Sequence, residues 1–196
     1  MRRVERRSGV SAWRLAAAAL SAALLLHAGD APADEGIEVR NAATRLQGGI
    51  WFLDADIAYR LNETALEAIE SGLVLDVELT IRLTQRRRII WDPTFAELKQ
   101  RYELQYHALT ERYIVRNLNS GEQATFGSLA AAVEQLGTLR SLPIIDDALL
   151  SRGERYFIAM RAVVDIKQLG GPLALIRFLW NDWRIVGDWV QWRLDR

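Results

Sequence analysis

The chain contains no cysteine. That excludes disulfide staples, thiol nucleophiles and thiolate metal sites together. Histidine is nearly as scarce, with only His27 and His107 among 196 residues. A Ser–His–Asp relay needs a histidine base, and zinc sites draw on several His or Cys ligands. His27 lies in the N-terminal stretch described below, so His107 stands alone. A single histidine in a Tyr-rich segment reads as structural. An excess of either charge is missing too: 25 Lys and Arg balance 25 Asp and Glu. No basic field therefore directs the chain to nucleic acid. Phosphate-cradling loops (GxGxxG, GxxxxGK[ST]), the nucleophile elbow GxSxG and calcium loops are all absent, so no cofactor is implied. No apolar run reaches the roughly 17–25 residues that span a bilayer.

What is present begins with MRRVERRSGVSAWRLAAAALSAALLLHAGDAPADE. Arg2, Arg3, Arg6, Arg7 and Arg14 form a positive start, Leu15 to Leu26 an uncharged apolar run, and Ala31-Pro32-Ala33 the small residues a signal peptidase needs. Residues 1–33 read as a cleaved export signal, which predicts a periplasmic or secreted protein. If the segment were kept instead, it would be the chain's membrane contact. The remaining 34–196 suit a single domain, whose stability must come from its core without disulfides.

Period-two alternation places strands at 37–46, 48–61, 73–88 and 153–169. In the second, Trp51, Leu53, Ala55, Ile57 and Tyr59 share one face. In the third, Leu73, Leu75, Val77, Leu79, Ile81 and Leu83 point inward, and Asp76, Glu78, Thr80 and Arg82 outward. Gly48-Gly49 marks the first turn. Asn62 caps a helix that Gly72 ends, and Ser128 caps a second that Gly137 ends. A third short helix is expected in LALIRFL, after Gly170-Gly171-Pro172. Residues 37–83 read as a meander interrupted by one helix. LRSLPIIDD reads as a loop or edge piece around Pro143, and 117–126 as a hairpin turn. Residues 94–113 fit both periods: Phe95, Leu98, Tyr102, Tyr106, Leu109 and Tyr113 at helical spacing, but strand alternation from Arg101 onwards, which is preferred. The predicted class is α+β: mainly an antiparallel sheet or two-layer sandwich with about three short helices.

Candidate chemistry is thin. Asp54/Asp56 and Asp146-Asp147 are paired carboxylates of the kind that hydrolyse glycosides, though any solvated sheet carries such pairs. Gln85-Arg86-Arg87-Arg88 is the densest positive patch. Arg86, Arg87 and Arg88 would suit a phosphate, a lipid headgroup or an acidic partner, or else a strand end protected by charge. The C-terminal stretch holds Trp180, Trp183, Trp189 and Trp192. Read as a strand over 182–194, it puts Trp189 and Trp192 on opposite faces, which rules out a flat stacking platform. Trp183 and Trp189 are expected in the core, and Trp192 exposed as a binding candidate.

Together, WFLDADIAYRLN…ALEAIESGLVLDVELTIRLTQRRRIIWD, QRYELQYHALTERYIVRNLNSGEQATFGSL, RGERYFIAMRAVVDI and NDWRIVGDWVQW resemble DUF4390, an exported proteobacterial family of unknown function. The resemblance spans essentially all of 34–196. It implies no catalytic residues, but it does imply an association with the envelope or with a membrane sensor kinase of the nitrogen-regulation type. Where the family often has Leu-Pro-x-Pro-Leu, this chain has Leu169-Gly170-Gly171-Pro172-Leu173, a less rigid turn. Three functions follow as expectations. The first is a non-enzymatic envelope protein that binds or stabilises an envelope or inner-membrane partner. The second is a periplasmic carrier of a lipid or other apolar ligand. The third is a carbohydrate-active enzyme or sugar-binding module.

Overall fold

In the computed structural model, residues 36–86, 94–166 and 184–195 are described. The chain forms β1 (Gly36–Gln47), β2 (Ile50–Arg60), α1 (Glu63–Glu70), β3 (Leu75–Arg86), β4 (Thr94–His107), β5 (Arg112–Asn117) and β6 (Gln123–Phe126). It continues through α2 (Leu129–Gly137), β7 (Thr138–Asp146), a 3-10 turn (Asp147–Leu149), β8 (Arg155–Ile166), β9 (Ile185–Val186) and β10 (Val190–Arg193). The architecture is sheet-dominated α+β, and every strand pairing is antiparallel. Among the described residues there are two α-helices and one 3-10 turn. The third helix expected at 173–179 lies outside them.

The strands divide between a three-stranded sheet, ordered β1-β2-β7, and a seven-stranded sheet, ordered β10-β8-β3-β4-β5-β6 with β9 also on β8. The meander expected over 37–83 is thus corrected: β2 pairs with β1 and β7, while β3 pairs with β4 and β8. The helix between them, α1, is a crossover from one sheet to the other. Asn62 caps it, its side chain accepting from the Ala65 N–H at 2.9 Å. Gly72 follows at φ +80, a conformation that costs glycine little.

Alternation decides what enters the core. Trp51, Leu53, Ala55, Ile57 and Tyr59 of β2, and Leu75, Val77, Leu79, Ile81 and Leu83 of β3, are all buried in one cluster shared by both sheets. Tyr156, Ile158, Met160, Ala162 and Val164 of β8 join it. Burying a side chain of this kind stabilises by roughly 1.5–3 kcal/mol, so this cluster is the disulfide-free fold's main support. Thr80 departs from expectation. It points to the outer face yet is buried, sitting mid-sheet between Lys99 on β4 and Arg161 on β8.

Residues 94–107 are a single strand, beginning earlier than alternation from Arg101 suggests. Phe95 and Leu109, part of the competing helical stripe, are exposed. Pairing of Ala96 through Leu104 with β3 overrides the helical spacing.

The tryptophan-rich end is two short strands rather than one, broken over residues 187–189. Gly187 donates its N–H to the Ala162 carbonyl at 3.0 Å, and a Cβ there would lie 3.0 Å from the Cβ of Ile37. The expected exposures are reversed. Trp189 is 36% exposed, whereas Trp192 is half-buried against the core. Register explains the swap: Trp192 pairs with Ile158, a core residue, while Trp189 lies in the break before β10. The two indoles do take opposite sides, but the inner one is Trp192. Trp183 lies outside the described residues.

Candidate functional site: a cleft beside two bulged strands

A concavity forms where β7 leaves β2. Pairing between them ends at Asp56 with Thr138, while β1 continues along β2 to Arg60. The edge of β2 beyond Asp56 is left to α2. Ser128 caps that helix, accepting from the Ala131 N–H at 3.3 Å. Its last residue, Gly137, lies so close to the Ile57 carbonyl that no side chain fits between them. The resulting cleft is about 710 Å³, within the roughly 300–1,000 Å³ of small-molecule sites. Half-buried Leu61, Leu66, Leu129 and Val133 give it an apolar floor.

Its rim is charged, and two bulges shape that rim. On β1 the register slips between Val39 and Asn41, so Arg40 has no strand partner on β2. On β7, Arg140 and Ser141 together stand opposite Asp54, and Ser141 adopts φ +53. Bulges bend a strand and redirect side chains, and they recur beside functional sites. Here each of them delivers an arginine to the same cleft. Arg140 is tied down: Nη1 donates to the Ala55 carbonyl at 2.9 Å and the Leu139 carbonyl at 2.8 Å, and Nη2 pairs with Asp56. Arg60 pairs with Glu38 at 2.9 Å. Arg40 and, on the α2 wall, Glu134 have no ion-pair partner among the described residues. Tyr59 closes one side as a neutral wall. Burial, with Tyr102 nearby, holds its phenol well above the ordinary value of 10.0.

Of the residues singled out from sequence, Asp56 lines the cleft, paired with Arg140, and the other described ones lie away from its lining. Arg86 ends β3, its backbone paired with Arg155, and Arg87 and Arg88 lie outside the described residues. Trp192 contributes to the core, and its indole nitrogen is buried with no hydrogen-bond partner among the described residues. His107 is exposed at the end of β4, its Nδ1 3.0 Å from Thr110 Oγ1. The paired carboxylates are engaged in structure. Asp54 holds Arg45 at 2.9 Å and the Ser141 N–H at 2.7 Å. Asp146 caps the 3-10 turn by accepting from the Ala148 N–H, and Asp147 accepts from Trp51 Nε1 at 2.9 Å. Trp189 already contacts two cations: the guanidinium carbons of Arg82 and Arg161 lie 4.6 and 4.7 Å from its ring centroid. Sequence reasoning missed Arg40, Glu134 and the cleft, because a bulge exists only relative to a partner strand.

Fold and site define a small, β-rich domain with an open cleft, apolar at its floor and charged at its rim. The model of the family described as "Domain of unknown function (DUF4390)" matches residues 34–193. The chain belongs to that family. No curated protein and no solved structure matches it. Among the described residues no helix is long and apolar enough to cross a membrane.

Proposed function

We propose that the protein is a non-enzymatic binding protein of the cell envelope, exported by residues 1–33, that holds a lipid or other amphiphile in the cleft between β2 and α2. The observation that carries this reading is the pairing of a half-buried apolar floor with a charged rim in one concavity of about 710 Å³. Apolar contact supplies most of the affinity in such sites, and a few placed polar groups orient the ligand. The lone exposed His107 and the ion-paired Asp54 and Asp56 support a binding role over a catalytic one.

Native mass spectrometry on protein taken from the envelope fraction tests the proposal. A co-purified lipid-sized mass should accompany the wild type and be missing from Ala130→Trp, which places an indole on the cleft's helix wall. Identical spectra for the two proteins would reject it.

A second reading, docking of an envelope or inner-membrane protein such as a membrane sensor kinase, is favoured by a different observation. Val186 of β9, Trp189 of the break and Val190 of β10 are exposed beside β8 in the seven-stranded sheet. Crosslinking from a photoreactive residue at 186 in whole cells, compared with one at 130, separates the two readings.

A further inference from the structure

Two arginines and one carboxylate of the cleft rim already have partners: Arg140 with Asp56, and Arg60 with Glu38. What remains is one cation, Arg40, on the sheet wall, and one anion, Glu134, on the helix wall. An anionic head group would satisfy Arg40 but meet repulsion from Glu134. A cationic one would reverse the problem, and an uncharged polar one could hydrogen-bond both groups but would neutralise neither. A ligand with both charges compensates both walls at once. We infer that the cleft takes a zwitterionic amphiphile, its phosphate or carboxylate on the Arg40 guanidinium and its ammonium on the Glu134 carboxylate, with the apolar tail over Leu66, Leu129 and Val133. This inference rests on the amphiphile reading given above.

The chemistry of the two groups fits these roles. A guanidinium presents a planar fork of donors that matches a phosphate or carboxylate in bidentate fashion. A carboxylate has lone pairs for the N–H donors of a primary ammonium. Arg40 is carried by a bulge, which sets the direction in which its side chain leaves the strand. Glu134 lies one turn before the end of α2, whose backbone is fixed by the contact of Gly137 with Ile57. The two charges are thus mounted on walls that cannot slide past one another without breaking that contact.

Isothermal titration with short-chain lipids below their aggregation threshold tests the inference. The probes are dihexanoyl phosphatidylethanolamine, dihexanoyl phosphatidylglycerol and free phosphoethanolamine. The wild type should bind the ethanolamine lipid about fivefold tighter than the glycerol lipid, the size of one solvent-exposed charge pair. Glu134→Gln should erase that preference while leaving the glycerol lipid's affinity unchanged or improved. Arg40→Gln should weaken both lipids. Both positions are exposed, so neither substitution threatens the fold. Equal or tighter binding of the glycerol lipid by the wild type would overturn the zwitterion inference and leave the amphiphile reading standing. Free phosphoethanolamine binding as tightly as its lipid would keep the zwitterion and overturn the amphiphile reading. Failure of both lipids to bind, or unchanged binding by Ala130→Trp, would overturn both.

Discussion

Gly137, the last residue of α2, lies against the Ile57 carbonyl of β2 with no room for a methyl group. The contact fixes the helix to the strand at the cleft floor. Gly137→Ala should therefore force backbone movement rather than a rotamer change, at a cost of about 1–3 kcal/mol. The loss should appear as a lower urea midpoint with an unchanged slope. The same variant should bind cleft ligands more weakly, because the helix wall has shifted.

Trp51 is 2% exposed and donates its indole N–H to Asp147. That bond ties the first buried residue of β2 to the 3-10 turn after β7. Trp51→Phe keeps an aromatic ring but leaves the carboxylate without this donor. A loss of about 1–3 kcal/mol is expected from a hydrogen bond to a charged acceptor and reduced packing. Asp147→Asn should lose less, since an amide oxygen still accepts. Chemical denaturation of the two variants side by side checks the order.

Glu78 titrates below its ordinary value near 4.5, chiefly because Lys99 hydrogen-bonds its carboxylate. A carboxyl group whose folded pKa is depressed binds fewer protons in the native state than in the unfolded one. Its contribution is present above pH 4.5 and is lost as the pH falls through the folded value. Urea midpoints measured downward from pH 6 should fall less steeply in Glu78→Gln than in the wild type. At the alkaline end the sign is opposite. The raised pKa of Tyr59 favours the folded state below pH 10, and that contribution fades as the pH rises further. Tyr59→Phe should flatten the alkaline limb.

Trp189 packs its ring against two guanidinium groups, those of Arg82 and Arg161, on the outer face of the seven-stranded sheet. Arg82 also pairs with Glu97 at 2.7 Å, so one arginine serves two partners. Each cation–π contact at so exposed a site is worth ~0.5–1 kcal/mol. Double-mutant cycles of Trp189→Ala with Arg82→Ala and with Arg161→Ala should each give a coupling of that order. The two couplings should not add in the triple variant, because both cations share one ring.

How much of this was legible in the sequence depended on whether the signal was local. The alternation in β2 and β3 reports directly which face is buried, and Asn62 and Ser128 cap helices through atoms three residues away. Pairing between distant strands leaves no such trace. Nothing in residues 37–83 says that α1 carries the chain to a different sheet. The parity of the last strand failed at the break over residues 187–189, so Trp189 and Trp192 exchanged their expected places. Arg40 and Glu134 are ordinary charged residues in sequence. They acquire meaning only when a bulge on β1 and the end of α2 converge beside β2.

The position of β3 also has a temporal consequence. This central strand pairs with β8 along its whole length, Leu75 meeting Ile166 and Arg86 meeting Arg155. It therefore cannot be completed until the last third of the chain is present. The β1–β2 hairpin can close early, but β7 must also arrive from far along the sequence. Such non-local closure places the domain among slow-folding β-rich proteins, on the order of milliseconds to seconds. Until β8 docks, β3 presents an open edge and a row of bare leucine, isoleucine and valine. The interval before that docking is when the chain is most exposed to misassembly.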